Sequence, residues 1–176
     1  MRCSVFVATS LDGFIAREDG AIDWLPGPEA GGEDYGFKAF MSTVDGLVMG
    51  RNTYELVRTF GSWPYGRKPV IVLSSRPVEV PEAIAGTAEW MSGPPRDIAR
   101  RLGERGMKHL YVDGGRTIQG FLSDGLITDI VITRIPILIG AGIPLFGPLR
   151  TDVKLRHAGT YSYPTGLVQS RYEVVR

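Results

Sequence analysis

The chain has 176 residues, 43% of them apolar, and its 20 basic and 19 acidic side chains leave a net charge of +1. This length suits a single domain over residues 1–176, and the near-neutral charge without a dense basic run argues against nucleic acid as a partner. No apolar run is long enough to span a membrane, the N-terminus lacks a secretory signal, and Cys3 is the single cysteine, so we expect a cytoplasmic protein without disulfides.

The first part of the chain alternates apolar runs with turns and short helical patterns. An apolar, β-branched run at residues 3–8 ends near Asp12-Gly13 and predicts a buried strand followed by a turn. Residues 26–32 are rich in glycine and proline and predict a loop. Three elements follow in order: a helix at residues 35–43, a strand at residues 46–49 and a helix at residues 51–59.

The same alternation continues and then gives way to strands. Residues 69–75 are the clearest buried strand, and the next elements are a strand at 87–91, a helix at 95–105, a strand at 109–112 and a helix at 117–123. The remaining segments are a long strand at 127–139, broken or bulged by Pro136, and a hairpin of residues 154–161 and 167–175.

This order of elements predicts the fold class. Strands that alternate with helices favour a parallel sheet with helices on both faces, and the closing hairpin adds antiparallel strands at one edge. We therefore expect an α/β protein with three αβα layers and a mixed, mostly parallel central sheet.

Three strand-to-helix or strand-to-loop junctions suit phosphate binding. Glycine lets the backbone approach a ligand closely, a helix start offers free N–H groups, and arginine adds charge. Each junction alone is also consistent with an ordinary turn or polar loop. The junctions are Met49-Gly50-Arg51-Asn52-Thr53, Leu73-Ser74-Ser75-Arg76-Pro77 and Val112-Asp113-Gly114-Gly115-Arg116-Thr117.

Acidic residues precede the first predicted helix. Glu33 and Asp34 either cap this helix or sit in a substrate cleft and pair with a protonated ring nitrogen. Other chemistries lack support: His109 and His157 are far apart without ligand partners, so we expect no metal site, and no G-x-S-x-G nucleophile motif occurs.

The order of these segments resembles dihydrofolate reductase along nearly the whole chain, most specifically in the Met-Gly-Arg-x-Thr and double-glycine junctions. Residues 10–16 (SLDGFIA) and 140–146 (GAGIPLF) are similar to the reductase domain of the bifunctional riboflavin-biosynthesis deaminase-reductase, which shares that fold. The H-x-E and P-C-x-x-C motifs of the zinc-dependent deaminase are absent. The segments that carry the likeness to dihydrofolate reductase are residues 5–16, 23–26, 34–40, 48–53, 72–75, 113–122 and 132–135.

The resemblance implies NADPH as hydride donor, with Arg51 and Arg76 suited to a 2′-phosphate. It assigns cofactor phosphate to Gly50, Arg51, Asn52 and Thr53. It assigns the adenosine end to Ser74, Ser75 and Arg76. It assigns the pyrophosphate to Gly114, Gly115, Arg116, Thr117 and Ile118. Leu73 and Val112 are also predicted to belong to the cofactor site. It assigns the nicotinamide pocket to Ala8, Ile15 and Trp24.

The resemblance also implies a substrate side. Asp34 matches the family's acid best, with Glu33 as the alternative, and Phe37 and Phe40 would line the substrate. Asp12 either contacts substrate or closes its Asp-Gly turn, and we favour the turn. The expected activity is NADPH-dependent reduction of a 5-amino-6-(5-phosphoribosylamino)uracil-type substrate. The alternatives are a dihydropterin reductase and a nucleotide-binding protein without turnover.

We also expect a homodimer. The apolar segment 127–139 and the aromatic tail of Tyr161, Tyr163 and Tyr172 would leave apolar surface exposed in a monomer. Relatives on the riboflavin side of the resemblance also tend to pair.

Overall fold

The structure is a computed structural model that describes residues 1–26 and 33–175; the predicted loop 26–32 therefore lies, apart from Pro26, outside the described residues. The strands are β1 (Arg2–Ser10), β2 (Phe14–Ala16), β3 (Gly46–Gly50), β4 (Val70–Leu73), β5 (Ala88–Met91), β6 (His109–Asp113), β7 (Asp129–Ile135), β8 (Ile143–Pro144), β9 (Leu155–Ser162) and β10 (Val168–Val174). The helices are α1 (Phe37–Thr43), α2 (Arg51–Val57), α3 (Pro95–Glu104) and α4 (Gly115–Ser123), with a 3-10 turn at Glu82–Ile84.

Eight strands form the central sheet in the order β5-β4-β3-β6-β1-β7-β10-β9. The first six are parallel, whereas β10 runs antiparallel to both β7 and β9. β2 and β8 form a separate antiparallel ribbon. The predicted mixed sheet with a C-terminal hairpin is confirmed, and the carboxyl ends of the parallel strands meet at one edge, where α/β proteins bind ligands.

Helices cover both faces of the sheet. Ile98 and Leu102 of α3 and Phe121 of α4 pack on one face in the larger core cluster. Tyr54 and Val57 of α2 pack on the other, where α1 also lies. The three-layer αβα arrangement follows from these two cores.

Several element ends differ from the sequence expectation. The predicted strand at 127–139 stops at Ile135, because Pro136 has no N–H for the ladder. The helix predicted from residue 35 starts at Phe37, because Tyr35 and Gly36 both have positive φ angles, of 52° and 81°. The helix predicted from 117 begins at Gly115.

The described residues contain neither a candidate membrane span nor a candidate metal site. None of the helices they form is long and apolar enough to cross a membrane. Within residues 1–26 and 33–175, no group of three or more His, Cys, Asp or Glu side chains is arranged to hold a metal ion.

A polar cluster joins the amino ends of three central strands, β1, β6 and β7. The Asp129 carboxylate accepts from Arg2 at 2.9 and 3.1 Å and from the Ser4 hydroxyl at 2.8 Å. His109 Nε2 lies 2.7 Å from Ser4 Oγ, which joins β1, β6 and β7. Burial raises the pKa of Asp129, but the hydrogen bonds from Arg2, Ser4 and Thr128 outweigh it and leave the pKa below 3.8.

Asp129→Asn is expected to destabilise the protein by about 1–3 kcal/mol at pH 7, because the charge-assisted hydrogen bonds that the buried carboxylate accepts from Arg2, Ser4 and Thr128 are weakened or lost. The pKa of Asp129 is lower in the folded protein than in the unfolded chain. The ionised carboxylate therefore stabilises the fold fully at pH values above the unfolded pKa, and this stabilisation is lost as the pH falls through the folded pKa. The free energies of unfolding of the native protein and the Asp129→Asn variant, measured by urea denaturation, should therefore converge at acidic pH. Asp152→Asn at an exposed position is the control; an undiminished difference in acid would contradict the explanation by charge-assisted hydrogen bonds.

Candidate functional site

The two glycine junctions meet at the carboxyl edge of the sheet. β3 and β6 are neighbours, with Met49 opposite Asp113. A Cβ on Gly114 would lie 2.5 Å from Thr53 Oγ1, and one on Gly50 would lie 3.1 Å from Thr117 Oγ1. Gly114 also has a φ of +87°, which side chains rarely adopt. Gly114 therefore needs to be glycine, Gly50 leaves little room for a side chain, and the two junctions pack against each other.

The β2–β8 ribbon closes over the start of α4. A Cβ on Gly115 would lie 3.0 Å from Ile15 Cδ1 and 3.4 Å from Ile143 Cγ2. No side chain caps the first turn of this nine-residue helix. Its first N–H groups are therefore available to an anion, and the helix dipole favours one there.

The third junction continues the same edge. Leu73 pairs with Gly50, so Ser74 emerges beside Arg51. Ser74 is held in place, because its Oγ accepts from the Arg76 N–H at 3.1 Å and its carbonyl from Trp90 Nε1 at 2.9 Å. Ser75 and Arg76 are exposed. The three junctions thus form a continuous row from β6 to β4.

Not every predicted cofactor residue reaches this row with its side chain. Val112 and Ile118 are fully enclosed in the core, so any contact from them comes from the backbone alone. Arg51, exposed with Asn52, forms an ion pair at 2.6 Å with Glu55 one turn along α2. Arg116 is exposed at the start of α4.

The predicted nicotinamide residues separate into two groups. Ala8 and Trp24 belong to one cluster, with Ile135 at the end of β7. Ile15 lies instead against Gly115 and the larger core. The structure therefore brings Ala8 and Trp24 together and places Ile15 with the pyrophosphate junction.

The predicted acids lie at the start of α1. The Asp34 carboxylate accepts from the backbone N–H of Lys38 at 2.9 Å and of Gly36 at 3.2 Å, and these bonds lower its pKa below 3.8. Glu33 is exposed. Asp34 thus stabilises the first turn of α1 as an ionised carboxylate, and the catalytic roles of Asp34 and Glu33 stay predictions.

Asp12 binds the loop that follows β7. Its Oδ2 accepts from the N–H of Gly140 at 2.8 Å and of Ile139 at 3.2 Å. This carboxylate holds two loops together, which is a different contact from closing its own Asp-Gly turn. A role in substrate binding stays a prediction.

Phe37 and Phe40 face the sheet. Their ring centroids lie 5.7 and 4.8 Å from that of Phe6, and Phe40 is 5.1 Å from Tyr111. They pack α1 onto β1 and β6, so the core takes up much of the surface that was predicted to line substrate.

Asp113 is the acidic residue that the sequence interpretation passed over. It ends β6 directly before the glycine pair, and its Oδ1 accepts from the Gly114 N–H at 2.8 Å. Burial raises the pKa of its carboxyl to about 6, although the Gly114 N–H and the Tyr111 hydroxyl oppose this. The signal in the sequence that could have identified Asp113 is the position of an acidic residue between a buried strand and two consecutive glycines. Buried carboxyls whose pKa is raised in this way cluster at functional sites.

Comparison with known families matches residues 3–169 to the RibD C-terminal domain. The chain belongs to the RibD C-terminal domain family. The Bacillus subtilis protein YwjB, itself uncharacterised, is 35% identical over 161 residues, or 90% of each chain. A solved putative riboflavin biosynthesis protein from Shewanella sp. PV-4 is 44% identical over the full length of both chains, with a TM-score of 0.91.

A more distant structure shows the fold alone. Dihydrofolate reductase from Enterococcus faecalis, solved in complex with NADP(H), matches 99% of this RibD C-terminal domain and 97% of its own chain, with a TM-score of 0.71 and 16% identity. The predicted dihydrofolate reductase-like fold is therefore confirmed.

Proposed function

We propose that this RibD C-terminal domain protein is a cytoplasmic reductase that uses NADPH to reduce a small nitrogen heterocycle or its ribosylamine. The first candidate substrate is of the 5-amino-6-(5-phosphoribosylamino)uracil type. The observation that carries the proposal is the contact between the two glycine junctions beside Asp113 and the uncapped start of α4.

The residues present fit the dinucleotide. The first N–H groups of α4, which no side chain caps, would hold a pyrophosphate, and Ser74, Ser75 and Arg76 continue the row toward the adenosine. When bound, NADPH supplies the hydride. Arg51 keeps guanidinium N–H groups beyond the one that faces Glu55, so it can still bind a 2′-phosphate.

Asp113 is the proposed acid. With a pKa of about 6 it carries a proton for part of the time near neutral pH, and it lies at the carboxyl end of β6. Its role is to give a proton to the substrate as the hydride arrives, which avoids a negative charge on the product. Gly114 orients the carboxyl through its N–H.

A second candidate substrate is a dihydropterin. The ionised Asp34 precedes Tyr35, which packs on the aromatic cluster around Trp24. A carboxylate in that position would pair with a protonated ring nitrogen. In this case Asp34, and not Asp113, would be the essential acid.

The deciding experiment follows NADPH oxidation by absorbance with each candidate substrate. Turnover of either one supports a reductase, and the substrate used separates the two candidates. If NADPH binds but neither substrate is turned over, the protein is better explained as a nucleotide-binding module.

Arg51→Ala is expected to weaken NADPH binding about tenfold and to leave NADH binding unchanged, because only NADPH carries the 2′-phosphate. Isothermal titration with both nucleotides measures this. Arg100→Ala is a matched control, because Arg100 also pairs with a glutamate four residues on, Glu104, but on α3. Equal losses for both nucleotides would contradict recognition of the 2′-phosphate.

We further propose that two copies pair through β9. The apolar residues of β7 are covered within one chain, so they no longer support a dimer. β9, however, is an edge strand with seven of its eight residues exposed, including Tyr161 at 60%. Solution scattering should give the mass of a dimer, and a monomer mass would contradict this arrangement.

A further inference from the structure

Two buried polar atoms in one aromatic cluster have no hydrogen-bond partner among the described residues. Trp24 is only 8% exposed, and its Nε1 makes no hydrogen bond. The hydroxyl of Tyr35, which packs on the same cluster, is also buried and unpartnered. Native proteins rarely leave such groups unsatisfied, so both atoms call for a partner that the described chain does not supply.

The backbone of Tyr35 is strained and firmly held. Its φ of 52° is uncommon for a bulky residue. Its carbonyl accepts from Gln169 Nε2 at 3.0 Å, and the same amide donates to Thr133 Oγ1 at 2.9 Å. Gln169 and Thr133 face each other across β10 and β7, so the sheet holds Tyr35 in place. Strain of this kind concentrates at binding sites.

The cluster lies beside the proposed reaction centre. Ala8 and Ile135, which also belong to it, are close to the carboxyl ends of β1 and β7. β1 has β7 on one side and β6, which ends at Asp113, on the other. A heterocycle held by the cluster would therefore lie across the end of β1 from Asp113 and the glycine junctions.

We propose that Tyr35, together with the Trp24 indole, determines substrate specificity by binding the lactam edge of the heterocycle, a ring carbonyl next to a ring N–H. This inference rests on the proposed function. An indole N–H only donates, so Trp24 requires an acceptor such as a carbonyl oxygen. A tyrosine hydroxyl both donates and accepts, so Tyr35 pairs with the carbonyl or with the adjacent N–H.

The change in melting temperature caused by Tyr35→Phe separates a hydroxyl that binds substrate from one that stabilises the fold. A hydroxyl that served the fold would have a partner in the protein or an ordered water, and its removal would lower the melting temperature. A hydroxyl kept for substrate leaves the melting temperature of Tyr35→Phe unchanged or higher, because the ring remains and a buried unpaired group is removed.

The test measures melting temperature and, by isothermal titration with NADP⁺ present, the binding of three probes. The probes are 7,8-dihydrofolate and 5-amino-6-(5-phosphoribosylamino)uracil, which carry the lactam edge, and 2,4-diaminopyrimidine, which lacks the carbonyl. Wild type should bind at least one lactam probe and bind 2,4-diaminopyrimidine more weakly. Tyr35→Phe should weaken the lactam probe about tenfold without a lower melting temperature. Tyr172→Phe, at a partly buried tyrosine of β10 outside this cluster, should match wild type.

Four results would overturn the inference: equal lactam affinity in wild type and Tyr35→Phe, a lower melting temperature of that variant, tighter binding of 2,4-diaminopyrimidine, or no binding of either lactam probe to wild type. NADPH titrated alone tests the proposed function separately. If NADPH fails to bind while a lactam probe, titrated without nucleotide, depends on Tyr35, the reductase proposal fails and the recognition pocket stands.

Discussion

Asp113→Asn is expected to lower kcat about 100- to 1,000-fold while making the protein more stable at pH 8. Asparagine keeps the shape of the side chain and an oxygen for the Gly114 N–H, but it has no acidic proton to give, and general acids contribute roughly that much to catalysis. Few substitutions at a structural residue would lose activity and gain stability together.

The stability gain follows from the direction of the pKa shift. The folded-state pKa of about 6 lies above the ordinary 3.8, so the folded protein binds this proton more tightly than the unfolded chain. Stability from this carboxyl is complete below the unfolded pKa and is lost as pH rises through about 6. At pH 8 the charged carboxylate costs about 1–3 kcal/mol, which the asparagine variant avoids.

Urea denaturation across pH measures the change in stability of Asp113→Asn, and steady-state kinetics measures its loss of kcat. The stability difference should vanish below about pH 4, where the carboxyl is neutral in both states. The kcat/KM of the native protein should fall as pH rises past about 6. Asp152→Asn serves again as the exposed control. Full activity, or lower stability at pH 8, would return the role of the acid to Asp34 or Glu33.

Gly114→Ala is expected to destabilise the protein by about 2–4 kcal/mol and to weaken NADPH binding more than tenfold. The new methyl group would meet Thr53 Oγ1 at 2.5 Å, and alanine does not readily adopt the φ of +87°. Either adjustment moves the start of α4 away from the β3 junction, and with it the N–H groups proposed to bind pyrophosphate.

Two comparison variants separate the cost of the backbone angle from the cost of the contact with Thr53 in Gly114→Ala. Gly106→Ala, with a φ of +90° and nothing within 4 Å of its Cβ, reports the cost of the backbone angle alone. Thr53→Ala combined with Gly114→Ala removes the hydroxyl contact but keeps the angle. Denaturation and nucleotide titration should show the largest losses in Gly114→Ala alone. Normal NADPH affinity in that variant would place the pyrophosphate elsewhere.

The sequence by itself determined the strands of the main sheet, the four helices and their order. Apolar runs bounded by glycine and proline located every strand of the main sheet, because strand formation and turn formation depend on neighbouring residues. The junction at Gly50 and the glycine pair at Gly114 were recognisable for the same reason: their phosphate-suited chemistry lies within a few consecutive residues.

Only the tertiary structure decided what each side chain does. Asp34 and Asp113 are the same amino acid, yet backbone N–H groups lower the pKa of one and burial raises that of the other. The contact between Thr53 and Gly114, and the unpartnered hydroxyl of Tyr35, join segments far apart in the chain. Burial and long-range contacts set the charge and availability of a group, and a local pattern of residues does not contain them.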